Sequence, residues 1–114
     1  MEYNKLVRDK IPQIIEDKGL VPEWSQIKES NPQMVREYLI DKLKEEFNEL
    51  IQSIHCGCPK DVDEECADLA EVISAISSRF GQNDWKTVME TKYIERGGFD
   101  DLIVLTKVEQ NEQS

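Results

Sequence analysis

Apolar positions along this chain recur at helical rather than strand spacing. With about 100° of rotation per residue, Leu43, Leu50 and Ile54 fall within about 60° of Leu39 on a helical wheel. On the same geometry Val62, Ile73, Ile76 and Phe80 fall within about 40° of Leu69, giving a second stripe. Punctuation frames both segments. Asn31-Pro32 supplies an N-cap followed by proline at the first helical position, so the longest helix is predicted from there to Ile54. The stretch H-C-G-C-P (55–59) breaks it at Gly57 and Pro59. Asp61 or Asp63 is predicted to cap the next helix, which runs to Arg79 or Phe80 and stops at Gly81.

Shorter elements flank this pair. Pro12, Ile14 and Ile15 predict a short helix ended by Gly19, and residues 20–30 read as a connector with extended character around V-P-E-W-S. Asn83 or Asp84 opens a fourth helical stretch that Gly97-Gly98 terminates. The apolar run that follows in F-D-D-L-I-V-L-T-K-V reads as a turn and a docked strand, and E-Q-N-E-Q-S as a polar tail. The expected organisation is a single all-α domain over residues 1–108 and a flexible tail over 109–114. The two long helices, joined by a short link, are expected to form an antiparallel helical hairpin with extra helices around it. A lone hairpin leaves apolar surface uncovered, so homodimerisation into a four-helix-bundle core is expected, as a dimer or a dimer of dimers.

Four acidic residues interrupt the apolar stripes. Glu46 and Glu49 lie three residues apart, as do Glu65 and Asp68, and that spacing puts each couplet on one side of its helix. Glu46 falls about 20° from Leu39 and Glu65 about 40° from Leu69, inside the stripes, with Glu49 and Asp68 at their edges. Asn48, Glu64 and Glu71 point away. Unpaired carboxylates in a dry interface are costly, and four of them on neighbouring helices require a cation.

Composition narrows the chemistry. The chain has 114 residues, a formal net charge of -10 and few Gly and Pro, which suits one helical domain. No apolar run is long enough to span a membrane and the N-terminus carries no signal-peptide core, so a cytoplasmic location is expected. Strong negative charge argues against a nucleic-acid polymer as partner but not against a small phosphorylated ligand, because bound cations invert local charge. The three cysteines, an odd number, argue for free thiols. His55, Cys56 and Cys58 have a C-x-C spacing tighter than structural zinc ligands use, and read as a loop with incidental thiols.

Hard oxygen ligands at this density suit Mg2+, with Mn2+ as the substitute, rather than zinc. The only histidine lies outside both couplets, unlike the Glu-x-x-His pairs of di-iron bundles. Mg2+ bridges carboxylates to substrate phosphates and activates water, so the couplets point to metal-assisted hydrolysis of a phosphate anhydride.

E-E-F-N-E (45–49) followed by E-C-A-D (65–68) resembles the E-x-x-E…E-x-x-D signature of the MazG-type all-α nucleotide pyrophosphohydrolases. The opening Y-N-K-L-V-R-D-K-I-P and the later R-G-G-F resemble a phosphoribosyl-ATP pyrophosphohydrolase-like subgroup. The resemblance runs to about Leu105. It implies Mg2+ ligation by Glu46, Glu49, Glu65 and Asp68. It also implies cleavage of a nucleoside triphosphate between its α- and β-phosphates to a monophosphate and pyrophosphate, a reaction suited to house-cleaning of non-standard nucleotides. Phosphoribosyl-ATP hydrolysis in histidine biosynthesis is the neighbouring alternative, and a non-catalytic helical dimer that binds nucleotide or metal is a third reading.

Other side chains are candidates for the same site. Glu45 or Glu49 can orient the attacking water, and the sequence does not separate ligand from base. Lys5, Arg8 and Lys10 form a basic cluster able to hold phosphates, against an equally ordinary reading as a solvated segment. Lys42, one turn before Glu46, can balance site charge or contact phosphate, and Lys92 and Arg96 can add phosphate contacts. Gly97-Gly98 reads as a helix stop rather than a phosphate cradle. Trp24, Trp85, Tyr93 and Phe99 can stack on a base, with core packing as the default.

Overall fold

A computed structural model describes residues 3–111, and within them the chain is all-helical, with no strand. The tail predicted over 109–114 lies outside the described residues from 112 onward. Four helices follow in order: α1 (Ile11–Asp17), α2 (Pro32–Cys56), α3 (Pro59–Phe80) and α4 (Trp85–Arg96). The chain divides between Asn83 and Asp84 into two compact units.

In the first unit the helix boundaries follow from local chemistry. Asn31 caps α2, its side chain accepting from the Met34 N–H at 3.2 Å, and Pro32 occupies the first turn, where a missing N–H costs nothing. Gly57 ends α2 in the left-handed conformation (φ 72°), its N–H donating to the Ser53 carbonyl at 3.1 Å, a backbone that favours a residue without Cβ. The next helix starts earlier than predicted. Cys58, in extended conformation, is the N-cap and Pro59 the first helical residue, because proline's fixed φ nucleates the turn before Asp61 or Asp63 can cap it. Asp61 instead lies in the first turn, where the positive end of the helix dipole favours it. The helix ends at Phe80 with Gly81 as its C-cap.

Helices α2 and α3 pack against each other. Only Gly57 and Cys58 separate them. The carboxylates that meet across the pair, Glu46 with Glu65 and Asp68, lie at similar distances along the chain from that link. Among the described residues only Leu39 and Val72 are buried apolar side chains. Leu43 and Leu50 on α2, and Val62, Leu69, Ile73 and Ile76 on α3, are half-buried. The expected stripes are therefore covered on one flank only, and the α3 contact centres toward Val72. Two residues placed in the buried stripes, Ile54 and Phe80, are exposed. They sit at the far ends of a single helix pair, where neither helix has a second neighbour in this unit to cover them.

A second apolar line on α2 is only partly covered within the unit. Ile40, Phe47, Ile51 and Ile54 are all exposed and lie about 60–120° round the helix from Leu39.

The second unit holds α4. Gly97 ends it at φ 79°, ψ -176° with its N–H bonded to the Tyr93 carbonyl at 2.8 Å, a backbone region essentially confined to glycine. A Cβ on Gly98 would come 3.0 Å from the Tyr93 ring, so both glycines of R-G-G-F have local structural roles. A turn follows, closed by the Leu102 N–H on the Phe99 carbonyl at 3.2 Å. The docked strand predicted after it is not formed. Ile103, Val104 and Leu105 are irregular and exposed, since no strand is present among the described residues to pair with them. Nor are the aromatic residues core: Trp24, Tyr93 and Phe99 are exposed, and only Trp85 is half-buried.

No helix among the described residues is long and apolar enough to cross a membrane.

Candidate metal and phosphate site

The helical wheel of α2 carries Glu46 into the interface with α3. Glu46 is 5 % exposed, in a position that would ordinarily hold leucine. Glu65 on α3 is half-buried and faces it. One oxygen each of Glu46, Glu65 and Asp68 lie within 4.8 Å of one another, and so do oxygens of Glu45, Glu46 and Glu49. Glu46 belongs to both groups. The Glu49 carboxylate also interacts with Glu65, so it is linked to both groups. Asn48, Glu64 and Glu71 are exposed, on the solvent side where the wheel put them.

Two oxygens in this cluster are orphans. Glu46 Oε2 and Glu65 Oε2 are buried without a hydrogen-bond partner. A buried acceptor left unmade costs on the order of 1–3 kcal/mol, more when charged, and two across one interface point to a missing positive partner. Five carboxylates and no nitrogen or sulfur ligand make the donor set that of a hard divalent cation.

The charge balance is distributed unevenly. Lys42, itself largely buried, donates to Glu45 Oε2 at 3.3 Å and pairs with Glu46 Oε1 at 3.2 Å. Burial lowers its proton affinity, but the two carboxylates more than reverse this and hold its pKa above the ordinary lysine value. Lys5 reaches Glu45 Oε1 at 3.3 Å. Burial raises the Glu45 pKa, yet Lys42 and Lys5 together bring it below the usual range, so this carboxylate stays ionised. The opposite holds next door. Burial raises the pKa of Glu46, opposed by Lys42 and reinforced by Glu49, and the net shift is upward. Glu49 is raised by burial and by its carboxylate neighbour Glu65, against an opposing hydrogen bond with Glu46.

The N-terminal segment supplies the remaining contacts. Arg8 Nη2 donates to Asp68 Oδ1 at 2.6 Å, and Tyr38 Oη donates to Asn4 Oδ1 at 2.5 Å, tying the segment to α2. Residues 4–8 therefore lie over both acidic helices. The basic cluster divides on this point: Lys5 and Arg8 reach the site, while Lys10 is the N-cap residue of α1, exposed and without an ion pair among the described residues. The Asn4–Tyr38 anchor was not foreseen, since neither residue is charged or belongs to a motif that one sequence reveals.

Lys92 and Arg96 are exposed side chains of α4, in the unit that begins at Asp84. His55 and Cys56 occupy the last turn of α2, and all three cysteines are free.

The chain matches no protein-family model, no curated protein and no solved structure.

Proposed function

We propose that this protein is a Mg2+-dependent nucleotide pyrophosphohydrolase that converts a nucleoside triphosphate to its monophosphate and pyrophosphate. The observation that carries the reading is the pair of buried, unpartnered oxygens on Glu46 and Glu65, two side chains that meet from two helices among further carboxylates. Glu46, Glu49, Glu65 and Asp68 are the proposed ligands. A divalent cation bound there supplies charge neutralisation at phosphate and an acidified water. Glu45, held ionised by Lys42 and Lys5, or Glu49 orients the attacking water. Lys5 and Arg8, which reach the cluster, are the proposed phosphate contacts, with Lys42 fixing the carboxylates.

The same reading includes a homodimer built as a four-helix bundle. Its support is the exposed line of Ile40, Phe47, Ile51 and Ile54 beside a core with only two buried apolar residues among the described residues. Contiguous apolar surface of this kind marks an interaction site, and an isologous pairing of α2 and α3 would cover it.

A panel of nucleoside triphosphates together with phosphoribosyl-ATP, each assayed with Mg2+ for pyrophosphate and orthophosphate, tests the function. Monophosphate plus pyrophosphate from at least one substrate is expected. Orthophosphate as the sole inorganic product would overturn the cleavage position. Binding of metal and nucleotide without turnover would favour a sensor.

A further inference from the structure

Lys5 and Arg8 are already engaged by the carboxylates they would have to leave in order to hold a phosphate. Arg8 Nη2 sits 2.6 Å from Asp68 Oδ1, and Lys5 Nζ sits 3.3 Å from Glu45 Oε1. Lys42 takes the other Glu45 oxygen and Glu46 Oε1. Five carboxylates (Glu45, Glu46, Glu49, Glu65, Asp68) thus face three cations (Lys5, Arg8, Lys42), leaving two negative charges uncompensated, one divalent ion's worth. With that ion added and every ion pair kept, the cluster would be neutral and would offer a polyphosphate no net attraction.

The three cations are not equally fixed. Lys42 is largely buried and lies one turn from both partners on its own helix. Lys5 and Arg8 are about half exposed, on a segment without regular structure. Exposed ion pairs of this kind contribute little and break at small cost, whereas Arg–phosphate pairs are charge-assisted and often bidentate. The backbone around them is nonetheless held. Tyr38 binds Asn4 on one side of Lys5, and half-buried Leu6 lies between the two cations. Lys5 and Arg8 can therefore change partners without leaving the site.

We propose that Lys5 and Arg8 are exchangeable counter-ions. They occupy Glu45 and Asp68 while no divalent cation is bound, and they pass to the substrate's phosphates when a cation held by Glu46, Glu49, Glu65 and Asp68 takes Asp68 and adds its charge beside Glu45. The inference rests on the carboxylate cluster being a cation site, as argued above. It makes metal loading the event that releases the phosphate-binding side chains, so substrate affinity depends on metal for a second reason besides direct coordination.

The test is calorimetric titration of the full-length protein with Mn2+ in the absence of nucleotide, followed by titration of the Mn2+-loaded protein with inorganic pyrophosphate. Arg8→Gln removes the competitor for Asp68 and is expected to tighten Mn2+ binding about two- to fivefold, the factor that a weak exposed ion pair supplies. The same variant should weaken pyrophosphate binding about tenfold, as loss of a charge-assisted bond implies. Lys10→Gln removes an equal charge from the same segment but breaks no carboxylate pair, so it reports the effect of the field alone and should shift Mn2+ affinity less. Lys5→Gln, acting on the separate pair with Glu45, should shift both affinities in the same directions as Arg8→Gln. If Arg8→Gln weakens Mn2+ binding, or only matches Lys10→Gln, Arg8 is a fixed orienting partner of Asp68 and the exchange is wrong. If the wild-type protein binds no Mn2+, or Glu65→Gln leaves that binding intact, the cation site itself fails and the exchange with it.

Discussion

Replacing Glu65 with Gln should make the metal-free protein more stable while removing its response to Mg2+. The side chain keeps its size and loses one charge. In the native protein Glu65 Oε2 is buried and unpartnered, with Glu49 and Glu46 carboxylates as neighbours. An amide placed there brings N–H donors to carboxylate acceptors, replacing repulsion by attraction. Relief of one orphaned acceptor and gain of one bond to a charged group together amount to about 1–3 kcal/mol. For a unit of this size that corresponds to a melting temperature higher by roughly 5–15 °C. Metal acts the other way. A ligand present at a hundred times its dissociation constant stabilises the native state by about 2.7 kcal/mol, so Mg2+ should raise the wild-type melting temperature by an amount similar to the substitution. With one of four ligands lost, the variant should show little of that rise and little turnover. Thermal melts followed by circular dichroism, with chelator and with saturating Mg2+, give both quantities. Glu71→Gln is the control, because Glu71 is exposed and touches nothing in the cluster. Identical behaviour of the two variants in metal-induced stabilisation and in turnover would refute the site.

The shifted carboxylates predict an unusual pH profile. Glu46 and Glu49 have folded pKa values above the ordinary 4.5, so the native state binds protons more tightly than the unfolded chain, and metal-free stability should rise as pH falls from neutral through those raised values toward 4.5. Below that, protonation of Glu45, whose pKa is lowered, removes its pairs with Lys42 and Lys5 and stability should fall; a metal-free melting temperature that only declines from pH 7 to 5 would contradict this. Saturating Mg2+ should invert the first limb, since protonated carboxylates do not ligate. Light scattering should find a dimer or a dimer of dimers at micromolar concentration, and Phe47→Glu, in the middle of the exposed α2 line, should dissociate it; a wild-type monomer would remove the bundle. Gly97→Ala, at φ 79°, should cost about 1–3 kcal/mol through backbone strain, read as loss of helicity in α4 with Mg2+ binding unchanged.

Much of this protein is written locally and could be read without a structure. The helix ends at Gly57 and Gly97 follow from the positive φ that glycine allows, and the start of α2 from the Asn31 side-chain cap, all of which depend on near neighbours in the chain. The intrusion of Glu46 and Glu65 into apolar stripes was equally legible, because helical periodicity fixes which side chains share a face. The burial of Glu46 and the exposure of Glu71 agree with that rotation. Local signals also misled. Asp61 and Asp63 were good caps, but Pro59 starts α3 before them, and a β-rich run at 103–105 formed no strand because strand formation needs a partner elsewhere in the chain. Partner choice was decided only by the tertiary structure. Nothing in the spacing of Lys5, Arg8 and Lys10 says that the first reaches Glu45, the second Asp68 and the third neither. Those pairings depend on how a segment without regular structure crosses two helices, held by an Asn4–Tyr38 bond between residues 34 apart. The same holds for the orphaned oxygens of Glu46 and Glu65: periodicity puts each carboxylate on a face, but only the packing of α2 on α3 sets them against each other and removes the water that would otherwise have satisfied them.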